Sequence, residues 1–308
     1  MNKFLCALLT LALAPVVAEV KVGDPAPTIR LKDQEGVVRD IGTNYGRHYV
    51  ALAFYPKDDT PGCTLEAQSI NNALEDLSKA GIVVYGVSVQ DVATKKAFVD
   101  KHGLKQPMLS DEDKSVAEAY GTLNDKGVSA RVTFILDPSL TIREIDRDVK
   151  VTNHAKEIQE AVGRLREEDA KAMATLAEQP LATDLGFSLR VPQGWTLAAR
   201  EAGQPWQWSF TAADGAALQL AARQVPGELS KEIVTPEGAR VRLVQDVSVA
   251  GQQAVRADYY LDGNPATYVT SLYWGGDGHF KSMKLVAPAE RASEAARLLA
   301  AIAATVTS

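Results

Sequence analysis

Residues 55–66 read YPKDDTPGCTLE, and this stretch decides how the first half of the chain folds. The preceding run, residues 50–55, is short and apolar and predicts a buried strand. Two prolines and a glycine before Cys63 exclude a helix or strand there and predict a loop. From Cys63 onward, apolar residues recur at helical spacing. The sequence therefore places a cysteine in the first turn of a helix, at the carboxyl end of a strand, where unpaired amides favour a thiolate.

Length, charge and the N-terminus restrict the class of protein. The chain has 308 residues, enough for two domains, and its net charge of −6 without a basic tract argues against a nucleic-acid partner. Residues 1–18 are typical of a cleaved secretory signal, because Lys3 precedes a short apolar run and small residues precede Glu19. That run is short for a membrane anchor. We therefore expect a periplasmic or secreted protein with no stable membrane anchor.

Signal cleavage would leave the protein with one cysteine. The sequence contains two, and Cys6 lies in the apolar part of the signal. Cys63 cannot then form an internal disulfide, so it is either a buried inert residue or a reactive thiol. The loop rich in proline and glycine and the helix start favour the reactive thiol.

Strands and helices alternate through residues 19–165. Strands are expected at 50–55, 82–89, 132–137 and 142–146, and helices at 63–80, 94–102, 115–120 and from Thr152 or Asn153 onward. This order predicts an α/β sandwich with a mixed central sheet. Residues 166–180 are expected to form a helical linker, with Gly163 interrupting the amphipathic stretch before it.

The composition changes from residue 181 onward. Alternating segments up to residue 286 predict several antiparallel strands, and residues 289–305 predict a closing helix, so 181–308 is expected to be a smaller α+β domain. Its opening, residues 187–195, is similar to the PsbP/Mog1-like families. The tryptophans are expected in the core rather than on a ligand platform. We expect a binding or docking module with a protein or ligand partner.

Five motifs in residues 20–165 resemble the peroxiredoxins, and within them the bacterioferritin-comigratory or Q-type group. They lie at 23–27 (GDPAP), 54–66, 109–111, 119–121 and 131–137. The resemblance implies a thioredoxin-like fold. It also implies that hydrogen peroxide and organic hydroperoxides are reduced through a sulfenic acid on Cys63.

The resemblance assigns further catalytic roles. Thr60 would bond the sulfur or the attacked oxygen, Pro56 would shield the thiolate, and Arg131 would lie beside the sulfur, where a cation favours the thiolate. Residue types alone leave alternatives open. Thr60 is also a candidate helix N-cap, Pro56 a strand terminator and Arg131 a solvated surface charge. Glu66, one turn after Cys63, either orients Arg131 or is an ordinary first-turn acid.

The cycle departs from that of many Q-type relatives, which place a resolving cysteine five positions after the reactive one. That position is Gln68 here, so a one-cysteine cycle with an external reductant, either a thioredoxin-like protein or a small thiol, is implied. The histidines show no metal-ligand spacing, His154 is expected in the first turn of its helix, and no cofactor is expected. The alternatives are a non-enzymatic peroxide sensor or adaptor acting through a mixed disulfide at Cys63, and a binding protein with an inert thiol.

Overall fold

The computed structural model describes residues 20–173, 176–177, 180–198, 207–224, 235–261, 266–276 and 279–307. The predicted signal at 1–18 lies outside these residues. Two seven-stranded sheets carry the described fold. None of its helices is both long enough and apolar enough to cross a membrane.

The first sheet is the mixed central sheet that the alternation predicts. Its strands are β1 (Arg30–Lys32), β2 (Val38–Asp40), β3 (Tyr49–Phe54), β4 (Ile82–Ser88), β5 (Met108–Ser110), β6 (Val132–Leu136) and β7 (Ile142–Asp146). They lie in the order β2-β1-β5-β4-β3-β6-β7, with β3, β4 and β5 parallel. The helices are α1 (Pro61–Asn72), α2 (Leu74–Lys79), α3 (Val92–His102), α4 (Ser115–Ala119) and α5 (His154–Met173). The predicted α/β sandwich is confirmed.

Strand β3 is buried along its whole length because both of its faces are covered. Val50, Leu52 and Phe54 belong to one hydrophobic cluster, and the alternate residues belong to a second cluster with α1, α2 and α5. This period of two is that of a strand between two layers. The strand that precedes the cysteine loop is therefore fixed in the centre of the sandwich.

Several details differ from the sequence expectations. The single helix predicted over 63–80 is divided at Ala73 into α1 and α2. Helix α1 begins at Pro61, two residues before Cys63, because proline is suited to the first helical position. Strand β5 has only three residues and was not predicted as a strand. Gly163 does not interrupt α5, which runs unbroken to Met173 and so includes the start of the predicted linker.

The second sheet is antiparallel and carries the closing helix α6 (Ala292–Ala303), as expected. Its order is β10-β11-β12-β16-β15-β14-β13, beside a separate pair formed by β8 and β9. Of the tryptophans expected in the core, Trp274 is 2% exposed and packs edge-on against Phe187, whereas Trp195 and Trp208 are half-buried at the edge of that core. The predicted turns at 262–264 and 275–278 lie largely outside the described residues. The strands are β8 (Leu181–Ala182), β9 (Ser188–Leu189), β10 (Thr196–Leu197), β11 (Trp208–Thr211), β12 (Ala217–Gln224), β13 (Arg240–Val249), β14 (Gln252–Leu261), β15 (Thr267–Gly276) and β16 (His279–Pro288).

The two sheets share a buried interface. Arg256 and Asp258 on β14 are both 0% exposed and form an ion pair at 2.5 Å. The Arg256 guanidinium also donates to the backbone oxygen of Ser139 in the β6–β7 turn, and lies 5.4 Å from the ring centroid of Tyr45. Thr270 donates its hydroxyl to Asp258 at 2.7 Å. A buried ion pair thus links the second sheet to the first.

This interface lies at the opposite end of β3 from the cysteine loop. In the antiparallel pairing of β3 with β6, Val50 lies opposite Leu136 and Phe54 lies opposite Val132. The Ser139 turn is therefore near the amino end of β3, while the cysteine loop leaves its carboxyl end. The two ends are roughly 15–20 Å apart at the rise of a strand. The second sheet therefore docks away from Cys63.

Candidate active site

The loop between β3 and α1 is held by a buried polar cluster. Tyr55, directly after β3, donates its hydroxyl to Asp58 at 2.5 Å, and the Asp58 backbone amide donates to Oε1 of Gln90 at 2.8 Å. Lys95 of α3 donates to the Tyr55 hydroxyl at 3.0 Å and to Ser88 at 2.7 Å. These bonds fix the loop before the cysteine against β4 and α3.

Lys95 is an unusual member of this cluster because its side chain is completely buried. Its Nζ lies 3.6 Å from Oδ1 of Asp58, whose side chain is 1% exposed. Burial lowers the pKa of Lys95 to about 8, although the Asp58 carboxylate acts in the opposite direction. Burial likewise raises the pKa of Tyr55 well above its usual value. Each polar or charged group in this buried cluster therefore relies on its neighbours for the hydrogen bonds and opposite charge that offset its loss of contact with water.

Cys63 is the third residue of α1 and is 3% exposed. One side of the sulfur faces an apolar cluster that contains Tyr55, Ala67, Phe98 and Met108. On another side, Nη2 of Arg131 donates to Sγ at 3.2 Å. The Arg131 side chain is 23% exposed, so it provides a polar approach to a sulfur that is otherwise enclosed. The structure therefore brings a guanidinium and a helix start to the same thiol.

Thr60 and Pro56 both lie in the loop that precedes Cys63. Thr60 has the extended backbone of an N-cap, yet its side chain makes no capping bond, and its hydroxyl donates to the Lys57 carbonyl at 3.2 Å. That hydroxyl is therefore turned toward the loop backbone. Pro56 follows Tyr55 and is half-buried.

Behind Arg131, the polar contacts continue into the protein. Arg131 forms an ion pair with Glu66 of α1 through Nη1. The other Glu66 oxygen lies 3.0 Å from Nδ1 of His154, and Nε2 of His154 lies 2.8 Å from the Thr133 hydroxyl. Burial lowers the pKa of His154 to about 4. Glu66 is thus paired with Arg131, and a buried histidine with a lowered pKa lies behind the carboxylate.

Comparison with known proteins identifies the first part of the chain. Residues 22–145 match the model of the AhpC/TSA family. The peroxiredoxin Bcp of Escherichia coli strain K12 is 34% identical over 142 residues, which are 44% of this chain and 90% of that protein. The chain belongs to the peroxiredoxin family. Its first part has the thioredoxin-like fold of that family, and as a peroxiredoxin it is a thiol-dependent peroxidase.

Further relatives of this peroxiredoxin come from plants and bacteria. The chloroplastic peroxiredoxin Q of Arabidopsis thaliana is 37% identical over 132 residues, covering 42% of this chain and 61% of that protein. Among solved structures, the bacterioferritin comigratory protein of Xanthomonas campestris is 30% identical with a TM-score of 0.42, covering 44% of this chain and 91% of that one. The names of the two sequence relatives, peroxiredoxin Bcp and peroxiredoxin Q, agree with the group that the five motifs indicate.

The peroxiredoxin site contains two buried groups that the sequence did not reveal, Lys95 and His154. His154 was expected only as a first-turn helix residue, yet it lies beside Glu66 with its side chain 1% exposed. No local sequence signal indicates this contact, because His154 and Glu66 are distant in sequence and lie on different helices. Within the described ranges, no group of three or more His, Cys, Asp or Glu side chains is placed to hold a metal ion.

Proposed function

We propose that Cys63 is the peroxide-reducing thiol and that it works in a one-cysteine cycle with an external thiol. The observation that carries the proposal is the 3.2 Å contact from Nη2 of Arg131 to Sγ in the first turn of α1. A neighbouring cation and unpaired helix amides stabilise a thiolate over a thiol, and the thiolate is the nucleophile. The partly exposed guanidinium supports a route for hydrogen peroxide or an organic hydroperoxide to the sulfur.

In the first half of the cycle, the thiolate attacks the nearer oxygen of the hydroperoxide. The S–O bond forms as the O–O bond breaks, the departing oxygen takes up a proton to leave as water or an alcohol, and Cys63 becomes a sulfenic acid. Arg131 stabilises charge on the reacting atoms through fixed hydrogen-bond donors. Thr60 would turn its hydroxyl from the Lys57 carbonyl toward the peroxide, and Pro56 would limit access of water.

The second half of the cycle needs two thiols from outside the chain. The first attacks the sulfenic sulfur, releases water and forms a mixed disulfide; the second releases Cys63 as a thiolate and leaves as the oxidised disulfide. Gln68 stands five positions after Cys63, and the only other cysteine in the sequence is Cys6, in the predicted signal. This supports an external thiol, either a thioredoxin-like protein or a small thiol such as glutathione.

Steady-state peroxide consumption, measured with a thioredoxin system and with glutathione side by side, tests this proposal. Continuous turnover is expected with at least one reductant, and Cys63→Ser should abolish it. Gln68→Ala is the matched control on the same helix and should turn over normally. If the protein consumes one equivalent of peroxide and then stops with either reductant, the result would instead indicate a non-enzymatic peroxide sensor that acts through a mixed disulfide at Cys63.

We also propose that residues 1–18 direct export to the periplasm or outside the cell. The support is the order of a lysine, a short apolar run and small residues before Glu19. The intact mass of protein recovered from a periplasmic extract should correspond to a chain that begins at Glu19. Recovery of the uncleaved chain in the cytoplasm would contradict export.

A further inference from the structure

A connected series of buried polar groups extends from the sulfur into the sandwich. Arg131 contacts Sγ of Cys63 through Nη2 and Glu66 through Nη1. Glu66 is 4% exposed and His154 is 1% exposed, and Oε1 of Glu66 lies 3.0 Å from Nδ1 of His154. Helix α1 thus supplies the carboxylate and α5 supplies the imidazole. Two elements distant in sequence meet directly behind the guanidinium.

The contacts of His154 allow only one neutral tautomer. We assign the imidazole hydrogen to Nδ1, because the Glu66 carboxylate 3.0 Å away, which is paired with Arg131, can only accept a hydrogen bond. Nε2 is then an acceptor, and the Thr133 hydroxyl at 2.8 Å donates to it. Burial is the largest influence on the pKa of His154; Glu157 and Asp146 act to raise it, and Arg131 acts to lower it. Burial then keeps the imidazole neutral, as its low pKa indicates.

We propose that His154 is a positioning residue for the peroxidase reaction. Its Nδ1–H holds the Glu66 carboxylate in place. Glu66 then binds only Nη1 of Arg131, and Nη2 stays on the sulfur. The inference rests on the proposed role of Cys63. His154 itself touches neither the sulfur nor Arg131 in this arrangement. It acts through Glu66 alone.

The geometry of the guanidinium explains why this support matters. Arg131 presents Nη1 to the carboxylate and Nη2 to Sγ, so each donor has a separate partner. A carboxylate that has lost its second neighbour is free to turn both oxygens toward the arginine, because the paired fork arrangement is the favoured one for arginine and carboxylate. Nη2 would then leave the sulfur. The thiolate would lose its charge-assisted hydrogen bond without any change at Cys63 or Arg131.

Three variants of the full chain separate positioning from packing. His154→Leu removes the Nδ1–H, His154→Asn keeps an N–H donor near the Nδ1 position, and Thr133→Val removes only the partner of Nε2. Two rates are measured on each: the reaction of Cys63 with hydrogen peroxide by stopped flow, and its alkylation by iodoacetamide across a pH series. His279→Leu, an exposed histidine of the second sheet, is the control.

We expect His154→Leu to slow both reactions at neutral pH by about tenfold or more, the effect of losing a charge-assisted hydrogen bond to the thiolate. Its alkylation profile should move to higher pH. His154→Asn should stay within about threefold of the wild type on the same reasoning, and Thr133→Val should lie between them. Thr133→Val keeps the test available if His154→Leu does not fold.

Wild-type rates and an unchanged pH profile in His154→Leu would overturn the inference. Equal slowing in His154→Leu and His154→Asn would also overturn it, because the donor at Nδ1 would then be irrelevant. A wild-type protein that consumes no peroxide would contradict the proposed role of Cys63. The alkylation profiles would still decide whether His154 controls the state of the thiol.

Discussion

Replacing Arg256 with methionine tests whether the two sheets unfold together as one cooperative unit. Arg256 and Asp258 are fully buried, and Arg256 also donates to the Ser139 backbone in the first sheet. The substitution leaves Asp258 without its cation in a site that water does not reach. Removing one partner of a buried ion pair costs about 3–5 kcal/mol. The variant should lose that much free energy of unfolding, a large part of the ~5–15 kcal/mol typical of a domain.

Urea unfolding can follow the two sheets separately. All four tryptophans lie between residues 195 and 274, so tryptophan fluorescence reports the second part of the chain, while the helical circular dichroism signal comes mainly from the first part, which contains α1 to α5. In Arg256→Met, both transitions should move to lower urea. Arg240→Met is the control: this exposed arginine lies 4.9 Å from the Tyr260 ring centroid, and its loss should cost about 1 kcal/mol or less.

A double variant sharpens this test. Arg256→Met combined with Asp258→Leu replaces the pair with apolar side chains and should recover most of the lost stability. If Arg256→Met costs no more free energy of unfolding than Arg240→Met, or if only the fluorescence transition moves, the buried pair does not couple the two sheets.

Other changes should have equally distinct effects. Arg131→Lys should slow the reaction with hydrogen peroxide about tenfold or more in stopped flow, because a single lysine ammonium cannot reach both the Cys63 sulfur and the Glu66 carboxylate as the two arginine nitrogens do. Folding lowers the pKa of His154 from 6.5 to about 4, so between these pH values the unfolded chain binds a proton at His154 that the folded chain does not. The free energy of unfolding should therefore drop by up to about 3 kcal/mol as the pH falls from 6.5 to about 4. Urea unfolding at a series of pH values should show this drop, with a smaller slope in His154→Asn and an unchanged slope in His279→Asn. Lys95→Met leaves Asp58 buried without its cation, so urea unfolding should show a loss of about 3–5 kcal/mol.

Local patterns predicted the strand, loop and helix around Cys63 well. The apolar run of β3 and the prolines on either side of the loop act over a few residues, so the sequence contains the signal itself. Helix α5 shows where such rules fail. A glycine costs a helix only about 1 kcal/mol, and the burial of Ile158 and Val162 against the sheet outweighs that cost at Gly163.

The candidate site was predictable only in part, for a related reason. Motifs indicated Cys63 and Arg131, but no local pattern indicates that Lys95 and His154 are buried. Each is a polar residue on a helix, which by itself is typical of a solvated position. Their burial follows from contacts with Tyr55 and Glu66, which are distant in sequence and become neighbours only when the sandwich forms.

Mass spectrometry of the protein treated with one equivalent of hydrogen peroxide and trapped with dimedone tests directly whether Cys63 is the reacting sulfur. A reactive Cys63 predicts one adduct, on the peptide that contains Cys63, and none in Cys63→Ser. Peroxide consumption that persists in Cys63→Ser, or a wild-type protein that yields no adduct, would contradict the assignment of this sulfur.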